Sequence, residues 1–240
     1  MSISMIQNAK PVFLLAGGRH GRRKSPDPLL EAVFREYGIK SPTVAYSGTA
    51  SGDDRGFFKF IASEITDAGV DKVVHAAIAP EGADLNKAKS VLESADIVFI
   101  SGGDVEAGME VLREKQMIDY LTGLYRQGKP FFGISAGAIM LADKWVRWPD
   151  PEDETSAELF NCLGFASIIC DTHDEQGGWE ELKAALKLER EGVTGYGLAS
   201  GSAVKVTPDG RVEGVGGTVQ RYVRKGDKVI RIEDILPPVK

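Results

Sequence analysis

Pro130-Phe131-Phe132-Gly133-Ile134-Ser135-Ala136-Gly137 decides how the rest of the chain is read. An apolar run from Pro130 to Ile134 leads into Gly133-Ile134-Ser135-Ala136-Gly137, and a helix-forming run from Ala136 to Asp143 follows. Strand, sharp turn, serine and helix make the sequence form of a nucleophile elbow. Glycines on both sides of the serine let the chain turn where a Cβ would collide with a neighbouring strand or helix. The turn lifts the hydroxyl above the sheet edge, and the first N–H groups of the following helix face any oxyanion formed there.

Upstream of the elbow, short apolar runs alternate with amphipathic ones. Strands are expected at residues 11–16, Thr43–Tyr46, Lys72–Ile78 and Ile97–Ile100. Helices are expected over Leu29–Tyr37, Phe57–Ala68, Leu85–Ser94 (Asp84 as N-cap), Val105–Glu114 and Gln116–Gln127. Strands alternating with helices of this length imply βαβ units and a parallel sheet with right-handed crossovers. Downstream, the acidic Trp145–Glu158 stretch reads as a surface excursion. Ala166–Cys170 returns as a strand ending at Asp171-Thr172-His173, and Trp179–Glu189 as a helix. From Gly195 short alternating runs, divided by turns at Pro208-Asp209-Gly210 and Lys225-Gly226-Asp227, read as a β-meander. The expected fold is a three-layer α/β sandwich, its doubly wound sheet mainly parallel, with a β-rich C-terminal tail. No linker divides residues 1–240, so one domain is expected.

Composition narrows the function. The chain is 42% hydrophobic and 27% charged, as ordinary globular proteins are. A net charge of −6 and a pI near 5.3 argue against general nucleic-acid binding. No apolar run approaches the ~18 residues of a membrane span, and the first ten residues lack a signal-peptide pattern. Cys162 and Cys170 form neither a disulfide framework nor a metal-ligand set. A cytoplasmic protein with no cofactor is the expectation.

Ligands of such sheets gather at the carboxyl ends of the strands, where Gly17–Lys24, Ser101–Asp104, Ser135 and Asp171–His173 all fall. Ser135 needs a base, and the chain has three histidines. His75 sits inside a strand as a core residue and His20 in a basic, solvated loop, so His173 is the candidate. Ala136 and the Gly102-Gly103 pair are the candidate oxyanion donors.

Ile100-Ser101-Gly102-Gly103-Asp104, Gly133-Ile134-Ser135-Ala136-Gly137-Ala138 and Asp171-Thr172-His173 together resemble the dipeptidase E and cyanophycinase family of serine peptidases. Gly197-Leu198-Ala199-Ser200-Gly201-Ser202-Ala203 resembles that family's downstream G-L-x-E-G stretch. The resemblance implies a class I glutamine-amidotransferase-like, flavodoxin-like fold, with Ser135 as nucleophile, His173 as base and Gly103 as oxyanion contributor. It implies a small peptide or amide substrate and neither a nucleic-acid nor a membrane partner. A homodimer, through the alternating edge strands near the C-terminus, is left open.

Two departures stand out. The family's third triad member, a glutamate, is replaced by Ser200. A hydroxyl can hold the imidazole but cannot offset its charge, so Asp171 and Glu154 (with Glu152 and Asp153) become alternatives. In an extended strand, Asp171 would lie roughly 6.5 Å from His173, too far for easy contact without a bend. The second departure concerns specificity. Arginines that grip acidic substrates in the family are absent after His173, where Asp174, Glu175, Glu180 and Glu181 stand instead. This acidic rim suits a cationic or free-amino substrate. The basic loop Arg19–Lys24, Arg22 above all, could supply an anion contact if it closes over the site. A catalytically impaired binding module is the alternative function. Glutamine amidotransfer lacks a cysteine in an elbow.

Overall fold

A computed structural model describes residues 8–17 and 26–237. The basic segment with His20 and Arg22, and hence the role expected of it, lies outside the described residues.

Five of the seven strands of the main sheet are parallel and adjacent: β1 (Val12–Leu15), β2 (Thr43–Ser47), β3 (Lys72–His75), β4 (Ile97–Ile100) and β5 (Phe131–Ile134). Their spatial order is β3-β2-β4-β5-β1. Every residue of β1 and β4 is buried, which is why these strands read as unbroken apolar runs rather than as alternating ones. Val12 and Leu14 face one core and Phe13 and Leu15 the other, because successive side chains leave opposite faces of a strand.

Helices cover both faces. α1 (Pro28–Tyr37) and α2 (Arg55–Asp67) contribute Leu29, Leu30, Val33, Phe34 and Ile65 to the core around Phe13, Phe99 and Phe132. α3 (Leu85–Ser94), α4 (Val105–Glu114) and α5 (Ile118–Arg126) close the opposite face with Leu92, Met109, Leu112 and Leu121. α6 (Ala136–Leu141), buried along its whole length, joins that layer. Asp27, Asp54, Asp84 and Asp104 each accept a backbone N–H at the start of α1, α2, α3 and α4, so the expected cap at Asp84 is one of four.

The order of strands departs from the flavodoxin pattern 2-1-3-4-5. β2 to β5 follow it as far as four strands go, but β1, the first in sequence, occupies the fifth place beside β5. The chain therefore reverses its direction of travel across the sheet between β2 and β4. The elbow serine sits one strand from that reversal.

The second half differs from expectation in three ways. First, the strand ahead of His173, β8 (Ile169–Thr172), is not in the main sheet. It pairs in parallel with β9 (Thr194–Leu198) across α7 (Glu180–Leu188), in a second sheet ordered β13-β12-β9-β8. Second, the C-terminal runs are not one meander. β10 (Ser202–Val206) leaves β9 to pair antiparallel with β1, β11 (Val212–Gly216) follows it, and β12 (Val219–Lys225) returns to β9 with β13 (Lys228–Ile235). A parallel β8-α7-β9 unit leaves β9 only one free edge, so the remaining strands divide between two sheets. Third, the acidic excursion is flanked by a hairpin of β6 (Lys144–Arg147) and β7 (Glu158–Asn161). One apolar cluster runs from Val12 and Leu14 through Phe160 and Cys170 to Leu198 and Val219, so side chains of all three sheets share a core. Among the described residues no helix is long and apolar enough to cross a membrane.

Candidate active site

Ser135 stands between β5 and α6 with φ 56° and ψ −126°, a conformation that L-residues rarely adopt. Both sides hold it there. Its N–H donates to the Leu15 carbonyl of β1 at 2.9 Å, and its carbonyl accepts from Ala138 N–H at 2.8 Å. A Cβ on Gly137 would be driven into the Ile100 carbonyl at the end of β4, so α6 can begin this close to the sheet only with glycine at that position. The elbow is a close approach of three backbones.

The end of β4 supplies the opposite wall. A Cβ on Gly102 would lie 3.1 Å from Ser135 Cβ, so this backbone rests against the serine. Gly103, at φ 143°, passes so near the Ala50 carbonyl after β2 that no side chain fits. Asp104 follows, its N–H bonded to Ala50 O at 2.8 Å and its carboxylate capping α4 through Ala107 N–H at 2.8 Å. Gly103, Asp104, Ser135, Ala136, Asp171 and His173 all line one cavity of about 470 Å³.

His173 arrives from the second sheet. It follows β8 at φ 47°, its N–H donating to the Leu198 carbonyl of β9 at 2.8 Å. That kink turns the ring toward the elbow, and Nε2 lies 2.7 Å from Ser135 Oγ. His75, by contrast, bonds to buried Asp53 at 2.9 Å and stacks on Phe58, as a core histidine does.

The proposed third members fare differently. Glu154 is exposed on the excursion, outside the cavity lining, with its neighbour Asp153 turned back on Thr155 N–H. Asp171 lines the cavity but bonds to Thr172 N–H at 2.7 Å and forms no hydrogen bond with His173. The contact ruled difficult by an extended strand is not made. Ser200 lies beyond the cavity lining and donates its N–H to Glu175 Oε1 at 3.3 Å. Glu175 is the residue that sequence reasoning passed over, as one acid in a rim. Burial raises its carboxyl, but its own backbone N–H, both Ser200 donors and the charge of His173 outweigh that and hold it below the usual range. Position 200 thus keeps a carboxylate near the histidine, delivered from the other side of the loop.

Asp171 is only 4% exposed; its Oδ2 is closed off from solvent and makes no hydrogen bond of ordinary geometry, although the Leu182 N–H at the start of α7 faces the carboxylate. Burial, then Glu181 and Asp174, push its carboxyl up to about 7 against the opposing pull of Thr172 and Leu182 N–H groups. Glu181, on the first turn of α7, is raised by burial, with Asp174 and Asp104 adding to it while its bond from Trp145 Nε1, at 3.1 Å, opposes. Trp145, from β6, was assigned to the surface excursion; it is a wall of the cavity.

Neither cysteine enters the cavity. Burial pushes the Cys162 thiol up to about 12 and Cys170 well above its usual value, so both are held as neutral thiols.

Residues 12–213 match the sequence model of peptidase family S51. The chain belongs to that family. Peptidase E of Haemophilus influenzae is 27% identical over 210 residues, spanning 82% of this chain and 92% of that protein. Among solved structures, this S51 chain is similar to a peptidase from an acI-B1 Actinobacterium, with a TM-score of 0.69 at 15% identity over 95% of this chain and 97% of that one. It is also similar to a putative peptidase E protein from Listeria monocytogenes EGD-e, with a TM-score of 0.61 at 17% identity over 87% and 98%. S51 membership makes the chain a member of a peptidase family, and the two structures agree with it in fold.

Proposed function

We propose that this chain is a serine-type peptidase of a single α/β domain with a class I glutamine-amidotransferase-like fold, cleaving short peptides or amide-linked metabolites. The observation that carries this reading is the 2.7 Å contact between Ser135 Oγ and His173 Nε2, at a strained elbow beside a glycine-lined wall. Ser135 attacks the scissile carbonyl while His173 accepts its proton. The N–H groups of Ala136 and Gly103 receive the developing oxyanion, and His173 then returns the proton to the leaving amine. Glu175, tied to Ser200, offsets the charge of the imidazolium from the loop that follows His173. A cavity of about 470 Å³ suits a few residues of peptide rather than a folded protein.

The alternative of an impaired binding module draws on one observation: among the described residues no carboxylate bonds to His173. Incubating wild type, Ser135→Ala and His173→Ala with a dipeptide and tripeptide library, read by mass spectrometry, separates the two. Cleavage by wild type that both substitutions abolish supports the peptidase. An intact library with folded wild type favours the binding module.

A further inference from the structure

The glycine wall opposite Ser135 is held by residues outside the cavity lining. Ser101 N–H donates to the Ser47 carbonyl at 2.9 Å, Asp104 N–H donates to the Ala50 carbonyl at 2.8 Å, and the Tyr46 hydroxyl donates to Ser101 Oγ at 2.9 Å. Gly102 and Gly103 hang between those bonds. Each bond ends on β2 or on the 3₁₀ turn that follows it, Thr49–Ser51. Ala50 is socketed between two glycines. A Cβ on Gly103 would strike its carbonyl, and one on Gly108 of α4 would lie 2.9 Å from its Cα. Moving this turn therefore moves Gly103.

One side chain fixes the turn. Asp53, at φ 56° and with its carboxylate wholly buried, takes four N–H groups. Gly48 N–H and His75 Nε2 meet Oδ1, each at 2.9 Å, and Ile78 and Ala79 N–H meet Oδ2, each at 2.7 Å. Asp53 N–H donates in turn to the Gly48 carbonyl at 2.8 Å, so residues 48 and 53 clasp the loop between them. The turn after β2 is thereby pinned to the chain after β3. Local structure does not require this carboxylate, because α2 is capped by the neighbouring Asp54. A charge buried this deeply persists only with its donors in place.

Building on the peptidase reading of this cavity, we propose that Asp53 is a positioning residue for the oxyanion wall. It acts through Gly48 and Ala50 and sets where Gly103 N–H stands relative to Ser135. An oxyanion donor works in the transition state, so its displacement lowers kcat and spares KM. His75, a core histidine by its packing, belongs to the same clasp.

The test is Asp53→Asn, which keeps the shape but leaves one acceptor oxygen. Its least costly placement keeps that oxygen on Ile78 and Ala79 and turns the NH2 toward His75, which can accept by changing tautomer; Gly48 N–H then loses its acceptor. On the best-cleaved dipeptide, kcat should fall about ten- to hundredfold with KM within about twofold of wild type. In residue-resolved amide exchange, Ser101 and Asp104 should lose protection together with Gly48. Asp54→Ala removes only the α2 cap on Phe57 N–H; it should lower Tm while leaving kcat and the exchange of Ser101 and Asp104 at wild-type values. Wild-type kcat in folded Asp53→Asn, an equal loss of kcat in Asp54→Ala, or unchanged exchange at Ser101 and Asp104 overturns the proposal. If wild type cleaves no peptide, the peptidase reading has failed and exchange alone decides. Faster exchange at Ser101 and Asp104 in Asp53→Asn but not in Asp54→Ala upholds the positioning role, and equal exchange removes it. If Asp53→Asn does not fold, exchange in wild type answers instead. Gly48, Ile78, Ala79, Ser101 and Asp104 should then open as one unit, and protection of Ser101 and Asp104 that outlasts the other three overturns the proposal.

Discussion

Replacing Asp171 with asparagine should make the protein more stable, and increasingly so as the pH rises. The side chain is buried and its carboxyl is pushed up to about 7 from near 3.8. Between those values the folded chain holds a proton that the unfolded chain has lost, so stability falls as pH rises and levels off above about 7. At 1.36 kcal/mol per pH unit, a span of about three units sets a ceiling of about 4 kcal/mol. Between pH 5 and pH 8 the cost is at most about 3 kcal/mol, and the open cavity should reduce it to about 2. Glu181 and Asp174 face the same carboxylate from α7 and its leading loop, and Asp104 and Glu180 share the cavity. Asparagine keeps the acceptor for Thr172 N–H and carries no charge into the buried position. Urea melts of both proteins at pH 5, 6, 7 and 8 test the point, because groups other than Asp171 largely cancel in the difference. The advantage of asparagine should grow by about 2 kcal/mol across the series, equivalent to about 4–8 °C in Tm for a chain of this length. An asparagine variant less stable than wild type at pH 8, or a difference that ignores pH, would refute the reasoning. A carboxylate retained at such a cost is what a working site looks like.

The other predictions concern the elbow and its supports. Glu175→Gln should lower kcat by about ten- to hundredfold and move the acidic limb of the pH–rate profile to lower pH, and Ser200→Glu in the same chain should restore part of the loss; unchanged kinetics would remove Glu175 from the site. Gly137→Ala should cost about 3 kcal/mol or more, or prevent soluble expression, because its Cβ meets the Ile100 carbonyl. Gly123→Ala, in open space on α5, should instead stabilise by about 0.5–1 kcal/mol in the same melts. Iodoacetamide at pH 8 should leave folded protein unlabelled at Cys162 and Cys170 and its activity intact; rapid labelling with loss of activity would point to thiol chemistry.

Sequence was informative where one element decides the pattern. β1, β4 and β5 are buried on both faces, so an unbroken apolar run identifies each without knowledge of its neighbours. The elbow was legible because Gly133, Ser135 and Gly137 carry their constraint within five residues. β8 was recognisable as a strand, but its sheet was not, because pairing depends on β9 beyond α7. The same limit hid Glu175. Its place beside His173 and Ser200 arises from the loop that folds back on Asp174, with Trp179 at φ 66° ending it, and no periodicity records that turn. Asp171 stands two residues from the histidine, a spacing that suggests an orienting acid, but its carboxylate accepts from Thr172 N–H instead, a local bond that spacing alone does not reveal.

Reaction with a fluorophosphonate probe tests the central claim most directly. Wild type, Ser135→Ala and His173→Ala, each verified as folded, are incubated with probe and their intact masses and labelled peptides measured. Labelling confined to Ser135 and lost in both variants is the result expected of a serine activated by His173. A folded wild type that stays unlabelled while a control hydrolase reacts, or one labelled at another residue, would contradict it.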